Sequence, residues 1–186
     1  PDFSVYTKVK AQVKIPIYAM IRPRGGDFVY TTTEFEQMKQ QLLRFKLAGA
    51  NGFVFGCLEE NGQVHAAQNK ELVQLAHPLP CTFHRAFDEI QNKELGLQTI
   101  IDCGFNTILT AGHPGTASDG IPVLKKLQVQ ALDKISLMAG GGIRSGNATQ
   151  LLAETGVHWL HSSAITLGDN AAAAEIKALL LACQSA

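Results

Sequence analysis

The sequence predicts an α/β fold of six βα units, organised as a single domain over residues 1–186. Short runs rich in β-branched and aromatic residues recur, and each is followed by a polar or glycine cluster and then by helical periodicity. A length of 186 residues suits one core, and a chain that is 46% hydrophobic and only 17% charged buries its elements on more than one face. The predicted strands are 15–23, 52–58, 80–87, 105–112, 135–143 and 159–164.

Caps and apolar stripes mark the helices between these strands. The first fourteen residues are predicted to form a helix that leads into the first strand, and 171–183 to form the last helix. Thr33-x-x-Glu36 is typical of a capping box at the start of the second helix. The apolar stripe of that helix is Phe35, Met38, Leu42 and Phe45. Three helices are predicted to end at glycines: Gly49, Gly104 and Gly156.

Alternating βα units are compatible with a doubly wound open sheet or with a (βα)8 barrel. The unit spacing of about 28 residues, taken eight times, gives about 225 residues, which is close to the usual size of a barrel. The sequence shows six units, so it predicts either a compact six-stranded sheet or a barrel without its first two units. An open sheet leaves an unpaired parallel edge, which predicts a homo-oligomer.

Charge and cysteine usage exclude several classes of partner. Sixteen basic and sixteen acidic residues give a formal charge of zero, which argues against nucleic acid and anionic membranes as partners. The apolar runs are too short to cross a bilayer, and the opening Pro-Asp-Phe-Ser has no basic signal region. Four cysteines without a Cys-x-x-Cys pair favour a reducing compartment, so we expect a cytoplasmic protein.

Hydrogen-bond donors and charged groups follow five of the six predicted strands, at the edge where α/β proteins place their sites. They are Arg22, Arg24, Gly25, Gly26 and Asp27; His84, Arg85 and Asp88; Thr110 and Gly112; Gly140, Gly141 and Gly142; and His161, Ser162 and Ser163. The two arginines beside glycines predict an anion cradle, with a solvated turn as the alternative. The triple glycine and the later serines predict a phosphate grip, unless the glycines only turn the chain.

The third strand end carries the candidate acid-base groups. Strand alternation places His84 on the face away from the helices, and Asp88, four residues on, would orient it and set its tautomer. The alternative is a satisfied core histidine. Arg85 is predicted to pair with Asp88 or to contact a ligand, and Asp27 is the remaining candidate catalytic carboxylate.

Motifs for a metal, an organic cofactor or a nucleophile are weak. The histidines are scattered, and Cys57 is the only cysteine at the reactive edge, so it is the one candidate ligand for soft copper. No Gly-x-Ser-x-Gly motif is present, and no organic cofactor is implied. Whether the protein is an enzyme, a sensor of a small anionic or phosphorylated ligand, or a structural protein stays open at this point.

Five motifs in order, IRPRGGDF, TFHRAFD, ILTAG, MAGGGI and HSSA, resemble the CutC family of copper homeostasis proteins. The resemblance implies a TIM-type (βα)8 barrel and an intracellular protein linked to copper homeostasis, with a copper ion as its ligand. The family motifs fall on the strand-end positions named above.

The sequence departs from the family pattern in two places. Members begin with two further strands, the second ending in a Glu-Leu-Cys-type motif near the cysteines proposed to hold Cu(I), and this chain starts after that point. Members also place a long loop before the last helix, where only residues 165–169 intervene here. The expectation is therefore an N-terminally incomplete CutC-like barrel that acts in copper homeostasis and binds copper. The alternative is an enzyme or sensor for a small anion.

Overall fold

A computed structural model describes residues 2–184, and it shows strands and helices in strict alternation. Each observed strand lies inside its predicted window, so the predicted order of βα units is confirmed. Pro1, Ser185 and Ala186 lie outside the described residues. The elements are α1 Phe3–Gln12, β1 Tyr18–Met20, α2 Thr32–Leu47, β2 Gly52–Phe55, α3 Ala66–Ala76, β3 Cys81–Phe83, a 3-10 turn Arg85–Glu89, α4 Lys93–Cys103, β4 Thr107–Thr110, α5 Ile121–Ala131, β5 Ser136–Gly140, α6 Ser145–Thr155, β6 Trp159–His161 and α7 Ala173–Gln184.

The described chain forms two compact units, and the first comprises the residues up to Ala86 together with Ile90–Asn106. Its strands β1, β2 and β3 are parallel and lie in sequence order. Phe53 and Phe55 of β2 are fully buried. Because the strands are parallel and in register, the segments that follow β1, β2 and β3 leave the sheet at one edge.

The second unit comprises Phe87–Glu89 and the chain from Thr107 onward. Its strands β4, β5 and β6 are also parallel and in sequence order. Leu137 and Ala139 of β5 are buried, in a chain segment that reads as a nearly continuous apolar run. Such runs are typical of parallel strands that are covered on both faces.

The start of α2 differs from the predicted capping box. The box is formed by Thr31 and Glu34, not by Thr33 and Glu36: the Glu34 amide donates to Thr31 Oγ1 at 3.3 Å, and the Thr31 amide donates to the Glu34 carboxylate at 2.8 Å. Glu34 also accepts from Arg24 at 2.6 Å, which fixes this register among three successive threonines.

The other predicted helix signals are confirmed. The stripe on α2 is buried, and it consists of Phe35, Met38, Leu42 and Phe45. Gly104 and Gly156 end α4 and α6 in the left-handed conformation, with φ values of 90° and 73°. Gly49 has φ of +80° directly after the end of α2. These stops position each following strand, because they set where the chain leaves the helix.

Candidate functional site

The loop after β1 is organised by Arg24. Its Nε donates to Glu34 at 2.6 Å, and one terminal nitrogen donates to the Asp27 carboxylate at 2.9 Å and to the Val29 carbonyl at 2.7 Å. The other terminal nitrogen donates to the carbonyls of Gly25 and Asp27. Every nitrogen of Arg24 is therefore committed to its own loop or to Glu34 of α2, which differs from the predicted cradle of two arginines.

Asp27 and Gly26 belong to the same loop. The Arg24 guanidinium, followed by the Val29 amide, holds the pKa of the Asp27 carboxyl below its usual value, so this exposed carboxylate stays ionised. Gly26 has φ of +86°, a conformation that favours glycine, and its carbonyl accepts from Arg22 at 2.6 Å. Asp27 therefore has a structural role in this loop, because its carboxylate accepts from Arg24 and from the Val29 amide.

Arg22 has a different environment from Arg24. Its guanidinium lies over the Phe28 ring at 4.4 Å from the ring centre, and its Nε is buried with no hydrogen-bond partner among the described residues. The Phe28 ring contacts the His84 ring, with their centres 4.8 Å apart. Arg22 and His84, both predicted from the sequence, therefore contact the same aromatic ring.

His84 is buried, with 4% of its surface exposed. Its Nδ1 accepts from the Ala86 amide at 3.3 Å, which places the imidazole hydrogen on Nε2. Nε2 has no hydrogen-bond partner among residues 2–184. Burial, and next the charge of Arg22, lowers the pKa of His84 to about 4, so the ring is a neutral donor near pH 7. A backbone amide sets the tautomer, where the spacing to Asp88 predicts a carboxylate.

Tyr30 completes this group, and sequence reasoning missed it. Its hydroxyl is buried, and no hydrogen bond of ordinary geometry joins it to a described residue. Burial raises the pKa of Tyr30 to about 12; the Cys57 thiol adds to the rise, and the Arg22 guanidinium opposes it. We call Arg22, Phe28, Tyr30 and His84 the inner cluster. The sequence signal for Tyr30 is the Phe-Val-Tyr run directly before the cap of α2, an aromatic run that does not stand out among charged and polar strand-end residues.

Cys57 lies next to the inner cluster, directly after β2. Its side chain is fully buried, and burial raises the pKa of the thiol far above its usual range. Asn69, also fully buried, binds this segment: its side-chain oxygen accepts from the Cys57 amide at 3.1 Å, and its nitrogen donates to the Cys57 carbonyl at 2.8 Å. Because it is buried, the Cys57 thiol stays protonated.

Asp88 lies in the second unit and binds the end of β4. Its carboxylate accepts from the Thr110 hydroxyl and, at 3.0 Å, from the Ala111 amide, while Thr110 Oγ1 accepts from the Gly112 amide at 2.7 Å. Asp88 and Thr110 are both buried. These bonds tie the 3-10 turn to β4, a structural role that differs from the predicted orientation of His84. Arg85 is half-buried at the start of that turn.

The glycine loop after β5 is required by packing and by backbone conformation. A Cβ on Gly140 would lie 2.5 Å from the Leu109 side chain, and Gly141 and Gly142 have φ of 111° and 71°. The carbonyl of Gly141 accepts from the Ala117 amide at 2.9 Å, and that of Gly142 accepts from Asn147 at 3.0 Å. The loop therefore turns the chain and fixes the start of α6.

The first turn of α6 already holds a carboxylate from this chain. Glu175 of α7 accepts from the Ser145 amide at 2.7 Å and from the Ser145 hydroxyl at 3.0 Å. Negative charge is favoured at a helix N-terminus, because unpaired amides point there. The position at which the sequence predicts a phosphate is thus occupied in part by Glu175.

The residues after β6 make local bonds. The Ser162 hydroxyl donates to the Ile143 carbonyl at 2.8 Å and accepts from the Ala164 amide at 3.0 Å, and the Ser163 hydroxyl accepts from the Ile165 amide at 3.5 Å. Partial burial lowers the pKa of His161. Ser162 therefore braces the loop after β5.

Within residues 2–184 no three His, Cys, Asp or Glu side chains are grouped so that they could hold a metal ion. Among the same residues no helix is long and apolar enough to cross a membrane.

Six βα units with donors at the strand ends define a protein of the α/β barrel class. The sequence profile of the CutC family matches residues 1–166, and the chain belongs to the CutC family. The mouse and human proteins named copper homeostasis protein cutC homolog are 42% and 41% identical over 170 residues, 91% of this chain and 62% of each relative. A CutC family protein from Bacteroides thetaiotaomicron is 43% identical over 80% of this chain and 59% of its own length.

Solved structures confirm the predicted TIM-type barrel class. A CutC from Streptococcus agalactiae superposes with a TM-score of 0.83 at 30% identity, covering 87% of this chain and 80% of that one. An aldolase superposes with a TM-score of 0.64 at 15% identity, covering 84% of this chain and 72% of its own, and shows the fold alone. The chain spans about three fifths of the length of the curated relatives it matches.

Proposed function

We propose that this CutC chain binds a small anionic ligand at the inner cluster, as a sensor or as an enzyme. One observation carries the proposal: two donors, Arg22 Nε and His84 Nε2, are buried without a partner in the described part of the chain. An unsatisfied buried donor costs about 1–3 kcal/mol. A ligand that accepts from both donors recovers this cost, and the Arg22 charge favours an anion.

The shared ring of Phe28 strengthens the proposal. It contacts both the guanidinium of Arg22 and the imidazole of His84, so both donors are fixed before a ligand arrives. Preorganised donors bind more tightly, because little side-chain entropy is lost on binding.

The strand-end residues of the second unit remain predicted ligand contacts: Thr110, Gly112, Gly140, Gly141, Gly142, His161, Ser162 and Ser163.

Isothermal titration calorimetry with inorganic phosphate and acetate tests the proposal. At least one anion should bind the wild type, and Arg22→Gln should weaken it at least tenfold, or about 1.4 kcal/mol. Arg44→Gln is the matched control, since Arg44 lies over Phe3 and its loss removes the same charge elsewhere. Absence of binding to the wild type, or equal binding by Arg22→Gln, overturns the proposal.

A role in copper homeostasis is the second candidate, favoured by the names of the mouse and human relatives. Cys57 beside Tyr30 is the candidate Cu(I) ligand, and its buried thiol must lose a proton to bind, since thiolates are the ligands of soft metals. Cu(I) competition against a chromophoric chelator should show one-to-one binding that Cys57→Ala abolishes and that Cys183→Ala, at an exposed cysteine, retains. No competition by the wild type refutes copper binding by this chain.

We also propose a cytoplasmic, self-associating protein. The cysteines that the structure describes are all free thiols, which suits a reducing compartment. Strand β1 lies at the edge of the sheet and exposes Tyr18 and Met20. Exposed apolar edge strands favour pairing with another chain.

A further inference from the structure

The inner cluster presents three hydrogen-bond donors. Arg22 Nε always carries a hydrogen, His84 Nε2 carries one because Nδ1 accepts from Ala86, and Tyr30 supplies a hydroxyl. All three atoms are buried and lack a hydrogen-bond partner among residues 2–184. A ligand group that satisfies them together must offer two or more acceptor oxygens.

The charges around these donors are also defined. The imidazole of His84 is neutral, and burial keeps the Tyr30 phenol and the Cys57 thiol protonated by raising their pKa values. The neighbouring carboxylates, Asp27 and Glu34, are both paired with Arg24. Arg22 is therefore the one formal charge of the inner cluster.

One positive charge in apolar surroundings is balanced by one negative charge. The buried Phe28 ring contacts both Arg22 and His84, so a second negative charge brought here loses its hydration without gaining a partner. A carboxylate has a single charge and two acceptor oxygens. A phosphate monoester is close to a dianion at pH 7.

We infer that the inner cluster recognises a small monocarboxylate, with the Tyr30 hydroxyl as a third ligand contact beside Arg22 Nε and His84 Nε2. This inference rests on the proposed function and narrows it, since it separates carboxylates from phosphates and adds a residue that the strand-end motifs do not contain.

Calorimetry with acetate, inorganic phosphate and sulfate at pH 7.5 tests the ligand class on the wild-type chain. Acetate should bind at least tenfold more tightly than either of the others. Tyr30→Phe should then weaken acetate binding about tenfold, because a hydrogen bond to a charged group is lost. Tyr18→Phe is the matched control: Tyr18 is 45% exposed, and the substitution should leave acetate affinity unchanged.

The outcomes separate the two proposals. Phosphate or sulfate binding that equals or exceeds acetate binding, and that Arg22→Gln abolishes, overturns the monocarboxylate and retains the anion site. No binding of any probe overturns both. Acetate binding that Tyr30→Phe leaves intact removes Tyr30 from the site. The wild-type ratio of acetate to phosphate affinity decides the ligand class even where Tyr30→Phe does not fold.

Discussion

Asn69→Ala tests how strongly the segment beside the inner cluster is held. The Asn69 side chain is fully buried and makes three hydrogen bonds: it accepts from the Cys57 amide at 3.1 Å, and it donates to the carbonyls of Cys57 at 2.8 Å and His65 at 2.9 Å. Alanine removes all three bonds and leaves the buried Cys57 amide without a partner, whereas the Cys57 carbonyl keeps the bond that it accepts from the His65 amide at 3.0 Å.

The magnitude follows from that amide. A buried polar group left without a partner costs about 1–3 kcal/mol, so we expect a loss of about 1–3 kcal/mol in the free energy of unfolding. For a chain of this size each kcal/mol lowers Tm by about 2–4 °C. We therefore expect a fall in Tm of about 2–12 °C.

Urea unfolding followed by circular dichroism measures this loss. Asn61→Ala is the control, because Asn61 is exposed and bonds only within its own turn, to Glu59 and the Gln63 amide. Asn61→Ala should stay within about 0.5 kcal/mol of the wild type. A loss in Asn69→Ala no larger than in Asn61→Ala refutes the reasoning.

Three further predictions concern other parts of the chain. Burial depresses the pKa of His84 to about 4 from an ordinary 6.5, so the folded state loses up to about 3 kcal/mol of stability as pH falls from about 6.5 to about 4. His84→Gln should flatten the profile of urea midpoint against pH over this range. An unchanged slope contradicts the assignment. Gly140→Ala should lower Tm because its Cβ would lie 2.5 Å from Leu109, whereas Gly146→Ala, in open space, should not; equal values refute the packing argument. Light scattering should show an oligomer that Tyr18→Lys on β1 dissociates, and a wild-type monomer refutes edge pairing.

Local patterns in the sequence predicted most of the fold. The stops at Gly104 and Gly156 need a left-handed backbone that glycine adopts without strain, so composition alone indicates them. The observed cap of α2, Thr31, lies two residues before the predicted Thr33, because the choice among Thr31, Thr32 and Thr33 depends on a contact between Glu34 and Arg24. The spacing of residues along the chain does not indicate that contact.

The site was predictable by position and less so by role. Arg22 and Arg24 have the same side chain two residues apart. Arg22 stacks on Phe28 and its Nε has no partner among the described residues, whereas every nitrogen of Arg24 is bonded to its own loop or to Glu34 of α2. Asp88 lies four residues from His84, a helical spacing, but its carboxylate accepts from Thr110 and Ala111, and His84 Nδ1 accepts from the Ala86 amide. Side-chain direction after the strand ends decides these roles, and short motifs do not encode it.

The most direct test of the central claim is an NMR titration of the His84 Nε2–H resonance in the wild-type protein at pH 7.5. In the free protein this hydrogen has no protein partner among the described residues. Acetate should move the resonance downfield and slow its exchange with water along a saturable one-to-one binding curve, and Arg22→Gln should abolish the change. A resonance that does not respond to acetate, phosphate or sulfate contradicts an anion site at the inner cluster.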